Sequence, residues 1–149
     1  MPLLTNPDQT FPYIPKACRQ QIKDGKLKRD DAPTYQLRAL TEKQQFEMAR
    51  LKPGALKGQL ESTTLEDAET DRSIVRQVLQ WGLRGMDRVT CPAGVVEFEE
   101  VAHSGSLLGE PCKSVVSDKI LRQHPTPFQL ELMEAISSGD TLSFDDLGN

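Results

Sequence analysis

The apolar residues of this chain change period several times, and each change marks an expected element. Thr34-Tyr35-Gln36-Leu37-Arg38-Ala39-Leu40 alternates apolar and polar, the period of a half-buried strand with Tyr35, Leu37 and Ala39 on one face. Thr41-Glu42-Lys43-Gln44 follows at once as a capping box, in which the Thr41 hydroxyl accepts the Gln44 amide and the Gln44 side chain returns to Thr41. The helix it opens runs to about Leu51, before Pro53-Gly54, and Phe46, Ala49 and Arg50 sit at helical spacing with Leu51 to give a narrow apolar stripe. Residues 52–63 read as a loop. A longer helix is expected next, capped by Thr64 with Asp67 or by Thr70. Acids crowd its first turns, where the helix dipole favours them. Ile74, Val75, Val78, Leu79 and Trp81 form its wide apolar face, the expected centre of the core. Gly82 and Gly85 bracket its end, and either can supply a left-handed cap.

On either side of this block the pattern is looser. Pro2, Pro7, Pro12 and Pro15 exclude a helix from residues 1–15 and favour an extended arm. Its Phe11, Tyr13 and Ile14 are apolar enough to pair as a strand or to enter a partner's groove. The basic run Lys16, Arg19, Lys23, Lys26, Lys28 and Arg29 reads first as a solvated loop or edge, and second as a contact for something acidic. Cys91-Pro92-Ala93-Gly94 separates two β-prone runs and suggests a hairpin, with Val95, Val96 and Phe98 inward and Glu97, Glu99 and Glu100 in water. Residues 103–114 return to loop. Ser117 caps a short helix from Asp118 to His124. Thr126-Pro127-Phe128-Gln129 then opens a last helix, with Phe128, Leu132, Met133 and Ile136 on one face and a stop at Gly139.

Composition narrows the class. Leu, Ile, Val and Phe make up about 24% of the 149 residues, above the ~20% below which a highly charged chain stays disordered. The net charge of -4 hides a split: residues 1–60 carry +5 and residues 61–149 carry -9. A generic nucleic-acid coat is disfavoured, because most of the molecule would repel phosphate. No apolar run is long enough to span a bilayer. Met1–Asn6 lacks the basic start and apolar stretch of a signal peptide, so a cytosolic protein is expected.

Candidate chemistry is sparse. Cys18, Cys91 and Cys112 form no CxxC pair and are expected as reduced thiols. A zinc site would need His103 and His124 to converge with Cys91 and Cys112, at a spacing that matches no zinc pattern. His103, Ser104 and the nearby Glu99 and Glu100 suggest a hydrolase triad only faintly, since no GxSxG elbow accompanies them. The acidic clusters offer no EF-hand spacing. The expectation is a non-enzymatic protein with no catalytic residue, no cofactor and no metal.

The order of motifs carries one resemblance. "TFPYIPKA", "APTYQLRALTEKQQFEMARL", "VLQWGLRGMDRV", "GVVEFEE" and "SDKILRQHPTPFQLELMEAISSGDTLSFDDLGN" together resemble the tail assembly chaperones of tailed bacteriophages and related virion proteins. Thr10, Phe11, Leu37, Arg38, Leu40, Thr41, Gly82, Leu83, Gly85, Val96, Phe98, Leu132, Ile136 and Asn149 carry the match. Met86 stands where the family pattern has an aromatic. The resemblance implies a morphogenesis protein that self-associates and binds tape-measure, tail-tube or neighbouring virion subunits through apolar surfaces, in the host cytoplasm or the particle. A structural virion component (neck, capsid-associated or baseplate) is the alternative, and a small nucleic-acid-binding regulator the third.

The fold expected is α+β: three to four helices and a short antiparallel sheet at 34–139. An extended arm and basic spacer occupy 1–33, and an acidic tail occupies 140–149. The candidate partner-binding residues are Phe11, Tyr13 and Ile14 in the arm and Leu142, Phe144 and Leu147 in the tail. The basic spacer of one copy is expected to reach the acidic part of the next.

Overall fold

The structure is a computed structural model that describes residues 9–51 and 65–138. It is α+β, and its centre is an antiparallel three-stranded sheet of order β1-β2-β3. β1 (Thr10–Tyr13) pairs with β2 (Thr34–Arg38), placing Phe11 opposite Leu37 and Tyr13 opposite Tyr35. β3 (Leu83–Asp87) pairs on the other side of β2, with a register shift between Gln36 and Leu37. The alternation at 34–40 suggested a strand with one wet face. Instead Thr34, Tyr35, Leu37 and Arg38 are all buried, because β2 is the middle strand and its second face is covered too.

Between β1 and β2 the basic run is not a loop. Lys16–Lys23 forms helix α1, so the described residues hold five α-helices. Pro15 precedes it in extended conformation, and its first amide, Lys16 N–H, donates to the Glu131 carboxylate at 3.0 Å. A carboxylate here complements both the unsatisfied amide and the helix dipole. Cys18 and Ile22 turn inward and, with Leu27, cover buried Ile14 and Ala32 in a small second core. Proline in the arm and lysines in the spacer thus border a packed corner.

β2 passes into α2 (Glu42–Leu51) through the expected capping box. Thr41 N–H donates to Gln44 Oε1 at 2.9 Å and Gln44 N–H to Thr41 Oγ1 at 3.2 Å. The buried face differs from the expected stripe. Gln44 and Met48 point inward, and Phe46 is 71% exposed. The Gln44 amide explains the choice, because its NH₂ also reaches Leu107 O at 3.0 Å and locks that face against the core.

α3 (Leu65–Gly82) buries Ile74, Val75, Val78, Leu79 and Trp81 as expected. It runs directly into β3, and neither Gly82 nor Gly85 adopts a left-handed cap. The reason for Gly82 is contact: a Cβ there would lie 2.5–2.7 Å from three side-chain carbons of Ile136. The expected Thr64 cap lies outside the described residues. Two arginines finish the helix instead. Arg38 Nε and Nη2 donate to Trp81 O at 3.2 and 3.0 Å, and Arg84 Nε donates to it at 3.0 Å.

β4 (Thr90–Cys91) and β5 (Gly94–Val95) form the expected hairpin, although Val95 faces out at 71% exposure while Val96 is buried. Beyond it, β6 (Glu100–Ala102) pairs with β9 (Ser114–Val116). The expected loop at 103–114 contains a further hairpin, β7 (Ser106–Leu107) with β8 (Glu110–Pro111). Leu108 and Gly109 join these strands with φ of 50° and 88°, the two positive angles of a type I′ turn. Leu108 tolerates this because its side chain is buried and its N–H donates to Gln77 Oε1 at 3.0 Å.

α4 (Asp118–Arg122) is capped by the Ser117 hydroxyl, as expected. α5 (Thr126–Ser138) buries Leu132, Met133, Ala135 and Ile136. Gln129 does not return to Thr126 as a capping box would. Its amide donates to Leu121 O at 2.8 Å and His124 O at 2.9 Å, tying α5 to α4. The expected stop at Gly139 and the tail lie outside the described residues.

Candidate interaction surface

The arm residues do not form an open apolar patch. Tyr13 is 2% exposed and Ile14 3%, while Phe11 is partly buried against the main core. Edge pairing with β2 turns Phe11 and Tyr13 toward this chain's own interior, and Cys18, Ile22 and Leu27 cover Ile14. Tyr13 and Ile14 are therefore corrected from partner-binding to core residues. Leu142, Phe144 and Leu147 lie outside the described residues.

Tyr13 instead completes a polar joint. Its hydroxyl donates to Glu131 Oε2 at 2.6 Å, and Arg19 Nη2 reaches the same hydroxyl at 3.4 Å with its guanidinium 5.3 Å from the ring centroid. Burial pushes the Tyr13 hydroxyl well above the usual tyrosine range, and the Glu131 bond and charge add to it. Tyr35 is raised likewise, by burial first and then by the charges of Cys18 and Glu131. Burial also raises the Cys18 thiol, with Glu131 adding.

These are the only two tyrosines of the chain, which yields a direct measurement. The tyrosinate absorbance is expected to stay flat as pH passes the ordinary ~10, and to rise only as helical circular dichroism is lost. The folded values exceed the unfolded one, so their stabilisation is intact below pH ~10 and is lost as pH climbs toward the folded values. A reversible tyrosinate step near pH ~10 with the fold intact would contradict the buried positions.

Surface concavity lies elsewhere. A cleft of about 540 Å³ opens between the β4–β5 hairpin and α4, floored by Val96, Phe98 and Ile120. A second, of about 360 Å³, continues past Pro125 and Phe128. The two share Cys91, Val96 and Gln123 in their lining and so adjoin along one grooved face. Exposed Val95 stands at its rim beside Glu97, Glu99 and Lys119. An apolar floor with mixed charges at the rim suits a protein surface better than a small polar substrate.

One end of the groove is stiffened by rings. Tyr35, His124 and Phe128 lie with centroids 5.3–5.7 Å apart, and His124 stacks on Phe128 at 19°. His124 Nδ1 is 2.8 Å from Ile120 O, and its Nε2 is 2.9 Å from the Tyr35 hydroxyl. A carbonyl can only accept, so Nδ1 carries a proton and donates to Ile120 O, while Nε2 shares a hydrogen bond with the Tyr35 hydroxyl. Both nitrogens of this ring are committed to the fold.

The chemistry imagined around His103 does not assemble. Its backbone N–H joins the ladder with Lys113 O at 2.8 Å, Ser104 is exposed, and Glu99 and Glu100 face outward. Among the described residues no three His, Cys, Asp or Glu side chains converge as a metal site, and the three cysteines are free thiols. No helix among the described residues is long and apolar enough to cross a membrane. Compared with known proteins, the chain matches no family model, no curated protein and no solved structure.

The roles that the sequence did not reveal are those of Glu131 and Arg38, and the second bond of the capping-box residue Gln44, to Leu107 O. Glu131 stands between Leu130 and Leu132 and Arg38 between Leu37 and Ala39, and that interruption was the available signal, whereas Gln44 stands in the polar run Thr41–Gln45. These roles depend on partners 63 to 118 positions away in the case of Gln44–Leu107 and Tyr13–Glu131.

Proposed function

We propose that this chain is a non-enzymatic protein of tailed-phage morphogenesis that acts by binding other proteins. The observation that carries the reading is the groove with its apolar floor and the outward Val95, on a face made by the β4–β5 hairpin and α4. The resemblance to tail assembly chaperones supports it. Strand, capping box and helix stand in the order that the "LRALT" step implies. In this reading the groove receives an apolar segment of a tape-measure or tail-tube subunit, and Val95 provides an exposed contact that the fold itself does not use.

Val95→Lys tests it. Exposed substitutions away from packed features typically change stability by under ~0.5 kcal/mol, so the fold is expected to survive. Co-purification of a tape-measure fragment is expected to fall about tenfold, the loss typical of a contact worth more than ~1 kcal/mol. Undiminished capture would remove the groove from the reading. Mass spectrometry of purified particles separates the two morphogenetic roles: a chaperone is absent, whereas a structural component is present at fixed copy number.

A further inference from the structure

A second cleft, of about 340 Å³, lies where α3 meets α4 and the start of α5. Its floor is Val75, Leu79 and Leu121, and Arg72, Arg76 and Arg122 stand over it. Arg76 is committed, with Nη2 2.7 Å from Asp118 Oδ1. Arg72 and Arg122 have no ion-pair partner among the described residues and are exposed. The result is an apolar trough with two cations left over, on a chain whose net charge is -4.

We propose that this cleft is the docking site of the chain's own acidic segment, residues 140–147. That segment combines Asp140, Asp145 and Asp146 with Leu142, Phe144 and Leu147. The acids complement Arg72 and Arg122, and the apolar residues complement Val75, Leu79 and Leu121. The reach is sufficient. Gly82 meets Ile136 near the ends of α3 and α5, while Thr126 and Gln129 line the cleft at the other end of α5. Returning along α5 covers about 18–20 Å at the helical rise. The chain from Ser138 to Asp145 spans up to about 25 Å when extended. Attachment within one chain gives the segment a local concentration on the millimolar scale, so modest contacts hold it. Exposed ion pairs are screened by salt, and the docking is therefore salt-sensitive. This inference is independent of the groove assigned to partners above.

Photo-crosslinking in the full chain tests it, with p-benzoylphenylalanine in place of Phe144. Irradiation is expected to give adducts within one chain, mapped by mass spectrometry to residues 72–79 or 121–129. Reversing both free cations (Arg72→Glu, Arg122→Glu) is expected to cut that yield about fivefold, as two lost surface pairs would. Adding Asp145→Arg and Asp146→Arg is expected to restore it. Both arginines are exposed, so unchanged circular dichroism accompanies the expected loss. Adducts scattered over the surface, adducts joining two copies, or a yield indifferent to the reversal would each overturn the proposal.

Discussion

Alanine at Gly82 is expected to lower unfolding free energy by about 1–3 kcal/mol, the usual cost of overpacking a well-filled core. Alanine is the better helix former by ~1 kcal/mol, so propensity alone predicts the opposite sign. Packing wins because the new Cβ would meet Ile136 at 2.5–2.7 Å, and the clash involves Cγ1, Cγ2 and Cδ1 together. No single rotation clears all three. Ile136→Ala removes the clashing atoms and alone leaves a cavity, at about 2–5 kcal/mol. Combined, the two substitutions are expected to cost less than their sum, because the new methyl fills part of the vacated space. Urea melts of the four proteins measure this. A Gly82→Ala chain as stable as the parent, or strict additivity in the double variant, would contradict the close approach of α3 and α5.

The second large effect is expected at Arg38. Its guanidinium carbon lies 3.6 Å from the centroid of the Trp81 ring, and two of its nitrogens donate to the Trp81 carbonyl. Hydrogen bonds to charged groups are worth about 1.5–3 kcal/mol, and a desolvated cation over tryptophan adds up to about 2. Arg84 still donates to the same carbonyl at 3.0 Å, which limits the damage. Arg38→Met, which keeps much of the apolar stem, is expected to cost about 2–3 kcal/mol. Arg38→Lys is expected to rescue little, since an ammonium cannot stack flat and present a planar fork at once. Trp81 is the chain's single tryptophan, so its fluorescence reports both the melt and the environment above the ring. A lysine variant with parental stability would show that charge alone, without the fork, serves this site.

Both effects come from residues that look ordinary in the sequence. Gly82 at the end of an apolar helix reads as a cap, and Arg38 in a short strand reads as the wet position of an alternation. Neither reading lacked a local reason. Gly82 is needed by Ile136, 54 positions later, and Arg38 by Trp81, 43 positions later. The arm shows the same limit in the functional residues: Tyr13 and Ile14 are apolar wherever they pack. Only pairing with β2 for Tyr13, and the cover of α1 for Ile14, decides that they pack at home.

Local chemistry was legible where both partners sit within a few positions. The Thr41–Gln44 box, the Ser117 cap, the inward face of Ile74 to Trp81 and the hairpin at Pro92-Ala93 all follow from neighbours three or four residues apart or fewer. The same short range explains why the basic run was misread. Its lysines describe only the wet side of α1, while the partner that steadies its first turn, Glu131, is supplied from α5. By itself, then, the sequence determined the α+β class, the principal helices and the apolar face at the centre of the core. Tertiary structure alone decided which apolar residues remain outside, as Val95 does, and which polar ones go in, as Gln44 and Arg38 do. Periodicity identifies a face, but burial of that face requires an opposing surface, and distant segments of the chain provide it.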